Sequence, residues 1–351
     1  MAKTIIPLAL SYDDVLLVPH RSSLTSRSQV DLSTHLTPHI KLVIPLLSAN
    51  MDTVTGVAMA IKLGQLGGLG ILPRFNSETE QVSLVREVKK NKVLVGASVG
   101  VRPGFMTRVE LLVKAKVDLL VLDVAHGHQD QVMVATRKIK SKFPQVDLVS
   151  GNVASYLGAK DLFQAGADCV KVGIGPGSTC TTRITTGFGV PQITAVMEAA
   201  KAAREAKKTL ICDGGTKNSA DIVKGLAAGS HAIMLGSLLA GTDEAPGETI
   251  LHEGVYYKRY NGSTSIEEKR KHAETLGGVS ATYLDHIEGV SALVPFRGPL
   301  KAVVSQLTSG MRSGFSYAGA KNLVQLHERA QFVQVTPQGN HESAPHDVIL
   351  T

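Results

Sequence analysis

Eight short, apolar, β-branched runs recur between residues 44 and 236, each separated from the next by a segment of helical composition. They lie at 44–50, 68–72, 93–98, 118–123, 147–151, 169–173, 209–213 and 232–236. Most are continuously apolar rather than alternating. A strand with no polar face is covered on both sides, which is the condition of a parallel sheet. The stretches 81–90, 107–115, 131–142, 154–165, 193–206 and 220–228 are rich in Ala, Val, Leu, Lys and Glu and supply the crossover helices. Ala165-Gly-Ala-Asp168 and Ala228-Gly-Ser-His231 place a glycine where a helix should stop, just ahead of the sixth and eighth runs. No Gly-x-Gly-x-x-Gly follows the first run, which counts against an open dinucleotide-binding sheet. Eight repeats of this kind predict an α/β fold, the (β/α)8 TIM barrel.

The chain of 351 residues accommodates one such barrel with insertions, so residues 1–351 are read as a single domain. Only about 20 residues separate the second and third runs, leaving no room for a regulatory subdomain there. After the eighth run the pattern breaks. Residues 242–298 are Gly, Ser, Thr, Pro and charges with little apolar periodicity, and predict a long, structureless, mobile flap over an active site. Helical pattern returns at 300–312 and 320–330, and the tail from Pro337 is polar.

An apolar content of 43% excludes a disordered chain, and no run approaches the ~18 apolar residues of a membrane span. The N-terminus makes a poor signal peptide, and three cysteines form neither a disulfide framework nor zinc-type spacing, so a reducing cytoplasm is expected. The net charge of +7 is scattered, and with no Trp and 4% aromatic residues it does not describe a nucleic-acid surface. Its densest runs, Lys89-Lys90-Asn91-Lys92 and Lys269-Arg270-Lys271-His272, adjoin acidic residues and read as solvated helix faces. The excess does suit an anionic small substrate.

In a barrel the chemistry sits at the carboxyl ends of the strands. The polar and Gly-rich clusters fall there: Ser48-Ala-Asn-Met51-Asp52, Asp123-Val-Ala-His126-Gly-His128, Gly151-Asn152, the loop 173–182, Asp213-Gly-Gly215 and Gly236-Ser237. In the sixth loop Cys180 has polar neighbours and Arg183 nearby, conditions that favour a nucleophilic thiolate. Cys169 and Cys212 sit among Val and Ile and read as core. Backbone amides after the seventh and eighth strands suit a phosphate, whereas the Asp213 carboxylate suits a sugar hydroxyl. His126 and His128 have no third ligand beside them and do not make a metal site.

The loop Gly173-Ile-Gly-Pro-Gly-Ser-Thr-Cys-Thr-Thr-Arg183, followed by Gly187-Phe-Gly-Val-Pro-Gln192, resembles the cysteine loop of the IMP dehydrogenase/GMP reductase family. Asp13-Asp14-Val-Leu-Leu17, Ser48-Ala-Asn-Met-Asp-Thr53, Gly151-Asn-Val153, Asp213-Gly-Gly215 and Gly236-Ser-Leu-Leu-Ala-Gly241 resemble further family motifs, in order. The resemblance implies a barrel, usually a homotetramer, that binds a purine nucleotide covalently through the loop cysteine. By that resemblance Cys180 is the nucleophile, and Thr182 and Glu288 relay a proton. Ser48, Met51, Ser178, Asp213, Gly215, Gly236, Ser237, Tyr260 and Gly262 would hold the nucleotide, and Asp123, Asn152 and Arg183 would line the nicotinamide side. The carbonyls of Gly175, Gly177 and Cys180 resemble a monovalent-cation site for K+, completed by Glu342 of a neighbouring subunit.

Two reactions share such a site. The dehydrogenase oxidises IMP with NAD and then hydrolyses its adduct; the reductase expels ammonia from GMP and takes hydride from NADPH. Hydrolysis needs a base for water, which the dehydrogenases resemble one another in supplying as an Arg-Tyr pair on the flap. Here Tyr283 follows Thr282, and Arg259-Tyr260 lies earlier, where the family contacts nucleotide. Gly277-Gly-Val-Ser-Ala-Thr-Tyr283 and the spacing from Glu288 to Pro295-Phe-Arg-Gly298 resemble the reductase, as does Arg21-Ser-Ser-Leu-Thr-Ser-Arg27. Gly189-Val-Pro-Gln192, Ala125-His-Gly-His128, Gly241-Thr-Asp-Glu-Ala-Pro-Gly247 and the tail Glu342–Val348 are dehydrogenase-like, and Ser263 stands where both branches usually carry Met. The missing water base concerns the step that separates the reactions, so the sequence reads as GMP reductase with NADPH, the alternative being an IMP dehydrogenase with NAD.

Overall fold

The computed structural model describes residues 6–275, 281–345 and 347–348. All eight predicted runs become parallel strands: β1 Leu46–Ser48, β2 Leu69–Leu72, β3 Val95–Val99, β4 Leu119–Asp123, β5 Asp147–Val153, β6 Cys169–Val172, β7 Thr209–Asp213 and β8 Ala232–Leu235. They pair in chain order and close on themselves, β8 pairing with β1. The fold is therefore the (β/α)8 barrel. Leu119, Leu120, Val121 and Leu122 of β4 are all fully buried, which is why this strand showed no alternation: one side fills the barrel, the other meets the helices.

The outer helices are α1 Val57–Gln65, α2 Glu78–Lys90, α3 Phe105–Lys114, α4 Asp130–Lys142, α5 Tyr156–Gln164, α6 Gln192–Ala206, α7 Ser219–Ala227 and α8 Leu300–Tyr317. Several begin a few residues before their apolar pattern does, because the start is set by polar caps. Ser77 accepts from the Glu80 N–H at 3.1 Å, and Glu78 and Glu80 sit in the first turn of α2, with Lys89 and Lys90 in its last. Below the barrel a hairpin of strands Thr34–His35 and Lys41–Leu42 forms a floor. Thr37 Oγ1 and His39 Nδ1 bond to Asp147 at the foot of β5, at 2.5 and 2.7 Å.

The segment 242–298 departs from its expectation. It is not structureless but carries an antiparallel sheet of β9 Thr249–His252, β10 Val255–Asn261 and β11 Ser291–Pro295, with a flap helix at Ile266–Thr275 between the last two. These strands are half-exposed, and Lys258 of β10 points inward with its ammonium on the Ala245 carbonyl at 2.6 Å, so no clean period-2 signal reached the sequence. The flap leaves and rejoins the barrel at one place: Arg297 N–H donates to Gly241 O at 2.8 Å and Asp243 N–H to Gly298 O at 3.0 Å. Gly277 to Ser280 lie outside the described residues. Near the end of the chain, Phe332–Gln334 pairs with Val15–Leu17. Among the described residues no helix is long and apolar enough to cross a membrane.

Candidate active site

The cysteine loop descends from β6 into the barrel mouth, where flap backbone holds it. Thr181 N–H donates to Glu288 O at 3.0 Å, Val290 N–H to Thr179 O at 2.9 Å, and Gly262 N–H to Val290 O at 3.0 Å. This stitching brings together side chains from distant parts of the sequence. The Cys180 thiol lies 3.2 Å from Thr182 Oγ1, and Thr182 Oγ1 donates to Glu288 Oε2 at 2.7 Å. A thiol, a hydroxyl and a carboxyl in line can move a proton between Glu288 and whatever is bonded to the sulfur.

Beside the thiol opens a cavity of about 210 Å3 whose wall includes Met51, Asp123, Asn152, Gly175, Gly177, Cys180, Thr182, Asp213, Gly236, Tyr260, Gly262 and Glu288. These predicted residues share one surface. Tyr260 is buried; its hydroxyl lies 3.8 Å from Met51 Sδ and also bonds to Ser178, which is exposed on the loop. A Cβ on Gly236 would meet that hydroxyl at 2.5 Å, so only glycine lets the ring in. Gly215 adopts a left-handed φ of +85° just past Asp213, and Ser237 opens the short helix Ser237–Ala240 after β8.

Other predicted residues are placed elsewhere. Ser48 is fully buried inside the wall, accepting from Thr55 Oγ1 at 2.8 Å. Arg183 braces its own loop, donating from Nη2 to Val190 O at 2.7 Å and packing where side chains on Gly175 and Gly189 would collide with it. The Gly177 carbonyl accepts the Cys180 N–H at 3.1 Å, and Glu342 caps the helix Pro337–His341. Cys169 and Cys212 are fully buried, and burial pushes their thiols up to about 12 and about 11. His128 pairs with Asp161 at 2.8 Å, and no group of three or more metal-ligating side chains occurs among the described residues.

One central residue was missed. Lys171 of β6 is 2% exposed and bridges Asp123 at 2.7 Å and Asp213 at 2.6 Å. Asn152 Nδ2 adds 2.9 Å to Asp213, and Asn50 Nδ2 adds 3.0 Å to Asp123. Burial opposes the ammonium, but the two carboxylates outweigh it and hold Lys171 well above the ordinary lysine value. Burial likewise works to raise Asp123, and Lys171 with Arg74 overcomes it, leaving that carboxyl below its usual range. The signal was a lysine inside a run otherwise read as fully buried.

A second cavity of about 430 Å3 adjoins the first, sharing Arg74, Phe75, Ser263 and Glu288 and adding Arg102, Lys269, His272 and Tyr283. Tyr283 Oη lies 2.6 Å from His272 Nδ1, and the Arg102 and Lys269 cations each stand 5.0 Å from the tyrosine ring. Burial first, and then Arg74, Arg102 and Arg108, push His272 down to about 4, so this imidazole is neutral near pH 7. The two spaces are continuous past Glu288, one beside the thiol and the other lined by the cations Arg74, Arg102 and Lys269.

A family model described as IMP dehydrogenase / GMP reductase domain matches residues 9–346. The chain belongs to that family. It is accordingly an oxidoreductase of purine metabolism. Inosine-5'-monophosphate dehydrogenase of Nitrosopumilus maritimus is 35% identical over an alignment of 470 residues, covering 97% of this chain and 98% of the relative. The enzyme of the same name from Aquifex aeolicus is 37% identical over 472 residues (97% and 96% covered), and that from Borreliella burgdorferi 38% over 407 (99% of each). Alignments of 470 and 472 residues exceed the 351 of this chain, so those two relatives carry residues that it lacks.

Proposed function

We propose that this family member is a GMP reductase, converting GMP to IMP and ammonia with NADPH. The observation that carries the reading is the line Cys180–Thr182–Glu288, taken with the absence from the sequence of an Arg beside Tyr283. In this reading the Cys180 sulfur bonds to purine C2. Thr182 and Glu288 deliver a proton to the amino nitrogen leaving C2, because ammonia departs only when protonated. A nicotinamide cofactor, when bound, supplies the hydride that replaces sulfur at C2 and returns the thiolate. Asp213, propped by Lys171 and Asn152, is placed to accept from ribose hydroxyls, while Arg74, Arg102 and Lys269 around the second cavity suit a cofactor carrying an extra phosphate. Opening of the 242–298 arm about its pinned ends would admit the nucleotide. A homotetramer and a K+ ion on the carbonyls of Gly175, Gly177 and Cys180 complete the proposal.

A second reading, IMP dehydrogenase with NAD, is favoured by the names of the relatives at 35–38% identity. The same relay run backwards could take a proton from water. The two separate in one assay: absorbance at 340 nm with GMP plus NADPH should fall, and with IMP plus NAD should not rise. Turnover only in the second mixture overturns the reductase.

The relay makes its own prediction. Glu288→Gln keeps a partner for Thr182 but cannot release a proton, so turnover of GMP should drop about 10²-fold or more. The KM for GMP should stay within a few-fold, and in single turnovers from GMP ammonia release should become the slow step, with NADPH oxidation following at that same reduced rate. Ammonia release at the wild-type rate, or a kcat within threefold of wild type, removes Glu288 from the relay.

A further inference from the structure

Away from the thiol, two carboxyl groups meet where the flap helix packs on the barrel rim. Glu268 lies on the flap helix and is 3% exposed. Its Oε1 accepts from Asn261 Nδ2 at 2.7 Å, with Lys271 Nζ at 3.4 Å, but its Oε2 is buried without a donor. Facing it within hydrogen-bonding reach is Asp52, half-buried on the loop after β1. Two ionised carboxylates this close repel, whereas a single proton between them supplies the donor that Oε2 lacks.

The position of this pair gives it a consequence. Asp52 follows Met51, which lines the nucleotide cavity; Glu268 holds Asn261, which sits between the cavity-lining Tyr260 and Gly262. Asn261 N–H also donates to Thr53 Oγ1 at 3.1 Å, so the contact joins flap strand β10 to the rim of β1. We propose that Asp52 and Glu268 are positioning residues that share one proton in a clasp, fixing Met51 and Tyr260 against one another at the cavity. The proposal rests on the reading that this cavity holds a purine nucleotide.

The clasp makes nucleotide affinity depend on pH. Burial first, and then Glu268, push Asp52 up to about 7. The other charges facing it are Lys271 on the flap helix, Glu80 on α2 and Arg74 after β2; the two cations oppose the shift and Glu80 adds to it. The closed clasp retains a proton that an open, solvated carboxyl gives up near pH ~4. Closure is therefore favoured fully below that value, weakens as pH rises toward about 7, and is level above it.

Calorimetric titration with IMP, a ligand of the site in either reading of the reaction, tests this from pH 5.5 to 8.5. In Asp52→Asn the new amide donates to Glu268 permanently, imitating the protonated pair. The affinity of this variant relative to wild type should rise by about fivefold or more between pH 5.5 and 7 and stay level from there to pH 8.5, and the nucleotide's own titration cancels in that ratio. Glu268→Ala should bind IMP about tenfold more weakly than wild type at pH 5.5, and Glu268→Gln, whose amide donates to Asp52, should restore most of it with a flat profile. Parallel profiles for wild type, Asp52→Asn and Glu268→Gln, with wild type still binding IMP, overturn the clasp. No IMP binding by wild type at any pH would instead overturn the reading of the cavity.

Discussion

Cys180→Ala should abolish turnover while leaving purine nucleotide bound. In the proposed reaction the Cys180 sulfur holds purine C2 while its substituent is exchanged, and the alanine methyl cannot do so. Neither of the other thiols can stand in: Cys169 and Cys212 are fully buried and held protonated by burial, pushed up to about 12 and about 11. The pocket walls include Met51, Tyr260 and Asp213 from other elements, so binding does not need the thiol. The expected loss is on the order of 10⁴-fold or more in kcat, as when the nucleophile of a covalent mechanism is removed. IMP affinity by calorimetry should change by less than about threefold. Mass spectrometry after brief iodoacetamide treatment should find one modified cysteine in wild type and none in the variant. Turnover surviving within about 100-fold of wild type would remove the covalent mechanism.

The barrel was legible because burial on both faces writes itself into composition: eight continuous apolar runs, spaced by helices, are hard to bury in any other architecture. The site was legible in outline because the glycine and polar clusters all fall at one end of those runs, and Cys180, Asp123, Asn152, Asp213 and Tyr260 do meet there. Side-chain direction was not legible. Arg183 looked like a ligand of the cofactor, but its helical start turns the guanidinium back onto Ile174 and Val190, and only the fold reveals those carbonyls. Ser48 lies in a motif beside Met51, yet it faces Thr55 inside the wall while Met51 faces the cavity. The flap sheet escaped notice because a half-exposed strand carrying an inward Lys258 has no clean alternation. Asp52 and Glu268 reveal nothing separately; only their juxtaposition makes them a pair.

Lys171 is the residue whose meaning depended most on the fold, and its replacement carries the other large prediction. Lys171→Met preserves length and apolar contact but leaves Asp123 and Asp213, each about one-fifth exposed, facing one another across the vacated site. Removing one member of a buried ionic cluster costs about 3–5 kcal/mol, because the remaining charges lose their partner and keep their desolvation. In wild type, Lys171 is raised, so its contribution is fully present below the ordinary lysine value of ~10.4 and is lost only on passing the raised one. Asp123 is lowered, so its contribution is present at neutral pH and disappears only as pH falls through that depressed value. Wild type should therefore hold its stability from pH 5 to 9 as far as this cluster is concerned. The variant should be least stable at neutral and alkaline pH, and should recover toward pH 5 as one of the two carboxyls takes up a proton. Urea unfolding at pH 5, 7 and 9 reads the difference, with a deficit of about 3 kcal/mol or more at pH 7. Adding Asp123→Asn to Lys171→Met removes one of the stranded charges and should return part of that stability without returning activity, since Asp213 still lacks the ammonium that orients it. A single variant within ~0.5 kcal/mol of wild type at pH 7 would mean that the two carboxylates tolerate each other unaided, and that Lys171 supports neither the fold nor the site.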